Sequence, residues 1–173
     1  IRRIIEAERP TDGILGEEHG AVRTDAEYVW VLDPIDGTRA FINGLPVFGT
    51  LIALTRHGAP ILGVIDMPAL GDRWTGACGH PTRFASAGNG AGQAHVRACA
   101  TLAAARLCAT TPDMFNRDDR PRFTRMTQAV RDTRYGTDCI AYGLLASGHT
   151  DLVVEAGMQP YDYLAQVPII EGA

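Results

Sequence analysis

Lysine is absent: all 16 basic side chains in the 173 residues are arginines. Schiff-base chemistry is therefore excluded, and so is a phosphate loop that depends on a lysine amine. A bound phosphate would have to be met by metal, backbone N–H groups or arginine. The four cysteines, Cys78, Cys99, Cys108 and Cys139, form no C-x-x-C pair, so buried reduced thiols are expected in place of a redox motif. The five histidines show no i, i+4 pairing, which argues against a zinc site. A net charge of −4 leaves no basic footprint for nucleic acid. The longest apolar stretch, Leu45 to Thr55, is interrupted by Gly49 and Thr50 and is too short to span a bilayer. No signal peptide is visible. Together with the unpaired cysteines, that sets a cytoplasmic expectation.

What is present suits a packed domain. Hydrophobic residues make up 46% of the chain and charged residues only 21%, enough to bury a core. Helical spacing of Ile1, Ile4 and Ile5 predicts a helix ending near Arg9. A loop follows at Gly16-Glu17-Glu18-His19-Gly20. Tyr28 to Leu32 reads as a strand. Val47 to Thr55 and Ile61 to Asp66 read as a hairpin turning at Arg56 to Pro60, and Arg73 to Ala77 as a third strand. Phe84 to Gln93 reads as a flexible loop, without the strand that a dinucleotide fingerprint needs. A short helix over Arg97 to Ala105, a strand from Leu107 to Thr110 and an amphipathic helix from Asp118 to Val130 come next. Arg134 to Asp138 is expected to turn into a helix over Cys139 to Ser147. Asp151 to Glu155 is a predicted strand, and Met158 to Ala173 a helix bent at Pro168. Alternating strands and helices predict a layered, mixed α+β fold.

The stretch Trp30-Val31-Leu32-Asp33-Pro34-Ile35-Asp36-Gly37-Thr38 organises the rest. A buried strand ends in two carboxylates three residues apart. Pro34 fixes its own φ, removes a donor and biases Asp33 to an extended conformation, which frees the Ile35 carbonyl to face the same spot. Gly37 and Thr38 would open a helix whose unpaired N–H groups suit an anion. Two carboxylates beside an anion cradle point to a hard cation such as Mg²⁺ holding a phosphate. A lone D-P-x-D-G-T also occurs as a simple turn, so its company elsewhere in the chain decides.

That company is Gly16-Glu17-Glu18, Gly136-Thr137 and Tyr161-Asp162-Tyr163-Leu164-Ala165. With Trp30 to Phe41, these resemble the motifs of the inositol monophosphatase family of Mg²⁺-dependent, lithium-sensitive phosphatases. Tyr161 stands where the family's W-D-x-x-A motif has Trp. The segment Arg39 to Leu54 is similar to the histidinol-phosphate phosphatase branch. The resemblance implies a layered αβαβα fold in a single domain over 1–173, with a metal-binding half (1–105) and a substrate-side half (106–173). Family members are longer at both ends, so a partial chain is expected.

The resemblance also implies roles, residue by residue. Glu17, Asp33 and the Ile35 carbonyl would hold one Mg²⁺. Asp33, Asp36 and Asp162 would hold a second, in a site of two or three ions. Catalytic roles fall to Glu17, Thr38 and Asp36, with Glu17 and Thr38 orienting the attacking water. Gly37 and Thr38 would bind phosphate. Gly136, Thr137, Asp138, Glu155 and Asp162 would face the rest of the substrate. The implied activity is hydrolysis of L-histidinol phosphate by a homodimer. Inositol-1-phosphate hydrolysis and an inactive metal-binding fragment are the alternatives. Asp138 and Glu155 are candidates to read the substrate's ammonium; a helix cap and a strand-end acid are the plainer alternatives.

Overall fold

The computed structural model describes residues 1–88 and 90–173. A helix, α1 (Arg2–Glu8), leads into two short strands, β1 (Gly13–Gly16) and β2 (Gly20–Val22). Then come β3 (Tyr28–Asp36), α2 (Thr38–Ile42), β4 (Gly49–Arg56), β5 (Ala59–Met67), β6 (Asp72–Ala77), β7 (Arg83–Ser86) and β8 (Gly90–Gln93). These eight strands form one sheet in the order β2-β1-β3-β4-β5-β6-β7-β8. All its pairings are antiparallel except that of β1 with β3. The chain continues through β9 (Arg106–Ala109), α3 (Arg120–Ala129), β10 (Asp132–Tyr135), α4 (Ile140–Ala146), β11 (Leu152–Val153), α5 (Pro160–Tyr163) and α6 (Gln166–Glu171). A second, parallel sheet has the order β10-β9-β11.

Period-two patterning decides which face is covered. Along β4, Leu51, Ala53 and Thr55 are buried while Ile52 and Leu54 are half-buried. The buried set joins Val31, Ile65, Met67 and Trp74 of the sheet to Cys139, Ala146, Ala165 and Ile169 of the last three helices and their ends. The parallel sheet has its own core, where Leu107 and Ala109 meet Phe115 and Phe123. Ile5 of α1 closes a third cluster over Ile14 and Leu32. No helix among the described residues is long and apolar enough to cross a membrane.

Several elements differ from expectation. β3 does not stop at Leu32 but runs on through both carboxylates to Asp36. Phe84 to Gln93 is no loop: β7 and β8 pair as a hairpin, and Asn89 lies outside the described residues. Arg97 to Ala105 holds only one 3₁₀ turn, Leu102–Ala104, because an alanine run too short to nucleate a helix needs a packing face that this one lacks. Arg134 and Tyr135 belong to β10 and not to a turn. The last segment splits into two short helices, and Pro168 falls in the first turn of α6, where its missing N–H costs no hydrogen bond. Among the cysteines, Cys108 and Cys139 are buried, whereas Cys78 and Cys99 are exposed.

Two glycines let α6 and its N-cap lie directly on the sheet. A Cβ at Gly63 would overlap the Ala165 carbonyl oxygen, and one at Gly76 would lie 2.5 Å from the Ile169 backbone. Backbone cannot swing aside as a side-chain tip can. Gly63→Ala should therefore destabilise the fold by about 2–3 kcal/mol, seen in thermal unfolding as a drop of roughly 4–12 °C. A variant melting with the wild type would contradict this close approach.

Candidate active site

Asp33 and Asp36 are brought together by an irregularity in β3. Asp33 pairs with Leu51 and Asp36 with Gly49, so three steps along β3 match two along β4. In a regular strand, residues three apart point to opposite faces. The extra residue re-phases the strand and aims both carboxylates to one side. The polar groups of the bulge are satisfied locally. The Ile35 N–H donates to Asp33 Oδ1 at 3.0 Å, the Thr38 hydroxyl to the Ile35 carbonyl at 3.1 Å and the Thr50 hydroxyl to the Pro34 carbonyl at 2.8 Å. Gly37 then turns the chain into α2 with φ 78, a left-handed conformation that suits glycine. A Cβ at Gly37 would press on Asp138 at 3.1 Å and on the Phe48 backbone at 3.3 Å.

The third carboxylate arrives from the other end of the chain. Asp162 sits in the first turn of α5, where its Oδ2 accepts the Gln159 N–H at 2.7 Å. Its backbone carbonyl accepts the Gln166 side-chain amide. Carboxylate oxygens of Asp33, Asp36 and Asp162 lie within 4.8 Å of one another. Glu17 follows β1 directly, its N–H donating to the Leu32 carbonyl at 3.2 Å. That parallel pairing sets Glu17 beside Asp33.

Burial and crowding make this cluster costly when it is empty of cations. Asp33 is 2% exposed. Burial first, then the charges of Asp36 and Glu17, raise its carboxyl well above the usual range, against the Ile35 N–H. Asp36 is pushed up from 3.8 to about 6, chiefly by burial, although it accepts the Cys139 N–H at 2.9 Å; Asp138 and Asp162 push it further. Burial raises Asp162 as well, opposed by the Gln159 N–H. All these donors are hard oxygens, the set that a small divalent cation takes, and a cation would reverse the repulsion among them.

A cavity of about 220 Å³ adjoins the cluster. Asp36 and Asp162 line it, as do Asp138, Glu155, Thr110 and Tyr142. Gly136 and Thr137 stand outside its lining, as do Glu17, Asp33, Gly37 and Thr38. The Thr137 hydroxyl is buried without a partner among the described residues. Asp138 adopts φ 43, and no side-chain hydrogen bond caps α4. Its carboxyl is raised by burial and then by Glu155, with Arg39 opposing. Residue-by-residue reading did not single out Cys139, Thr110 or Tyr142. Thr110 could have been found from its place just past the end of β9, a position where parallel sheets present their ligands. Tyr142 carries no such mark inside an apolar helix.

With this geometry in hand, comparison with known proteins is decisive. A profile of the inositol monophosphatase family matches residues 1–173. The chain belongs to the inositol monophosphatase family. It is 49% identical over 172 residues to the chloroplastic bifunctional phosphatase IMPL2 of Arabidopsis thaliana, covering 98% of this chain and 48% of that protein. It is 36% identical over 166 residues to a histidinol-phosphatase of Mycobacterium tuberculosis, covering 95% of this chain and 64% of that one. Among solved structures, an inositol monophosphatase from Zymomonas mobilis superposes with a TM-score of 0.90 at 50% identity, over 99% of this chain and 64% of the other. The chain thus spans about half to two thirds of the length of these relatives.

The pH dependence of stability follows from the raised carboxyls. A group whose pKa is higher in the folded state favours folding at low pH, and that contribution is lost as pH rises through the folded value. For Asp36, from 3.8 to about 6, the loss is about 3 kcal/mol above pH 6. Metal-free protein should melt at a higher temperature at pH 5 than at pH 8. Mg²⁺ should remove most of the difference, and Asp36→Asn should reduce it. Metal-free melting temperatures equal at both pH values would contradict the account.

Proposed function

We propose that this chain carries the active site of a Mg²⁺-dependent phosphate monoester hydrolase, and that its substrate is L-histidinol phosphate. The observation that carries the reading is the cluster of Asp33, Asp36 and Asp162, within 4.8 Å of one another, opening on a cavity with two further acids. Phosphate monoesters repel nucleophiles and hydrolyse extremely slowly unaided. The residues fit the cation: Glu17, Asp33 and the Ile35 carbonyl would hold one Mg²⁺, and Asp33, Asp36 and Asp162 another. Bound there, two or three Mg²⁺ ions neutralise the phosphate and acidify a water molecule.

The chain's own groups do the positioning. Thr38 Oγ1 donates its proton to the Ile35 carbonyl, so its lone pairs are left to accept from the attacking water. Glu17, beside Asp33, would orient that water as well and take up its proton. The N–H groups of Gly37 and Thr38 would meet the phosphate oxygens. Gly136, Thr137, Asp138, Glu155 and Asp162 would receive the alcohol portion.

Two acids, Asp138 and Glu155, in the cavity favour a cationic substrate head such as an ammonium over inositol hydroxyls. The name of the mycobacterial relative agrees with that choice, whereas the name of the Zymomonas structure favours inositol phosphate. A homodimer in the cytoplasm is carried over from the family resemblance and from the four unpaired cysteines.

Phosphate release with Mg²⁺ tests the reading. L-histidinol phosphate should exceed inositol 1-phosphate in kcat/KM. Asp33→Asn should cut kcat by more than about a hundredfold, beyond what loss of a supporting partner costs. Preference for inositol 1-phosphate would keep the chemistry and replace the substrate. No release by folded protein would refute the reading.

A further inference from the structure

Glu155 is clamped by residues from two other elements. Its Oε1 accepts the Thr110 N–H at 3.1 Å and also the Thr110 hydroxyl. Its Oε2 accepts the Tyr142 hydroxyl at 2.9 Å. Thr110 follows β9, Tyr142 belongs to α4 and Glu155 comes after β11. A carboxylate offers about four lone-pair directions, so one on Oε2 is left, and Glu155 lines the cavity. The other neighbour of the Tyr142 hydroxyl is the Met158 sulfur at 3.5 Å, a weak acceptor. Burial, and then the charge of Glu155, hold the Tyr142 phenol far above its ordinary range, so it remains a donor.

The charge balance of the cavity gives the clamp a purpose. Asp36 and Asp162 belong to the carboxylate cluster. Asp138 and Glu155 form a second acidic pair, close enough that Glu155 raises Asp138. No arginine or histidine is among the residues lining the cavity; Arg39 acts on Asp138 only as an opposing charge. The clamp holds its carboxylate in one orientation, where a loose glutamate would have to be ordered on binding.

We propose that Tyr142 and Thr110 are positioning residues. They hold Glu155 aimed at a cationic group on the alcohol half of the substrate, and so set the selectivity for an ammonium-bearing phosphate monoester over a neutral polyol phosphate. This rests on the reading above that the cavity receives the alcohol half.

Tyr142→Phe removes only the hydroxyl. KM for L-histidinol phosphate should rise about tenfold, the scale of one hydrogen bond to a charged group. kcat should stay within about twofold, and KM for inositol 1-phosphate should not move. Calorimetry with L-histidinol, in Mg²⁺ and inorganic phosphate, should show its Kd rising by the same factor. In a Glu155→Gln background, Tyr142→Phe should add less than about twofold, because residues that act through one another are not additive. Equal KM increases for both substrates, additive effects, or wild-type protein that does not bind L-histidinol would overturn the proposal. If the wild type hydrolyses neither substrate, yet Tyr142→Phe weakens L-histidinol binding, the assigned reaction falls and the clamp stands.

Discussion

In regular pairing, β3 would hold Asp33 and Asp36 on opposite faces; with one residue inserted it holds them on the same face, at close range and largely out of water. That arrangement is repulsive, and the rest of the site follows from it. The bulge spends Pro34, which has no N–H to lose, at the irregular position. It also turns the Ile35 N–H onto Asp33 and the Ile35 carbonyl onto Thr38. The same local chemistry that relieves the strand shapes the site: one carbonyl, one hydroxyl and two carboxylates within a few residues.

Distant elements hold the repulsion in place. The start of α4 supplies the Cys139 N–H to Asp36. The first turn of α5 brings Asp162, fixed by the Gln159 N–H and by the Gln166 side chain. α6, which follows α5, lies on the sheet because Gly63 and Gly76 let its backbone and N-cap touch the strands, and Ile169, Ala165 and Cys139 fill the core with Leu51 and Ile65. The apolar core of about a dozen side chains therefore holds together an acidic cluster that would not assemble in isolation.

Much of this was legible in the sequence, for identifiable reasons. Asp33, Pro34, Asp36 and Gly37 form a dense local pattern, and each residue restricts the backbone in a known way. The β4–β5 hairpin showed in two apolar runs joined by the Arg56 to Pro60 turn. The strand's continuation through Asp36 did not show, because proline argues against a strand and the bulge that tolerates it depends on pairing with β4. β10 was missed since Asp132 to Tyr135 is polar and mostly exposed, and is held by its register with β9 alone. The β7–β8 hairpin was hidden by glycines that favour a loop reading. Asp162 could be placed only through family resemblance, since nothing local ties it to a residue 129 positions earlier. The Glu155 clamp joins three separated segments, which no local pattern reveals.

Phosphate binding with and without divalent cation tests the central claim most directly. Titrated calorimetrically into protein stripped with EDTA, inorganic phosphate should bind weakly or not at all, since buried carboxylates repel it; with Mg²⁺ present it should bind well. Phosphate binding equally tight in EDTA would mean that the cluster does not hold a cation for the phosphate, and would contradict the account.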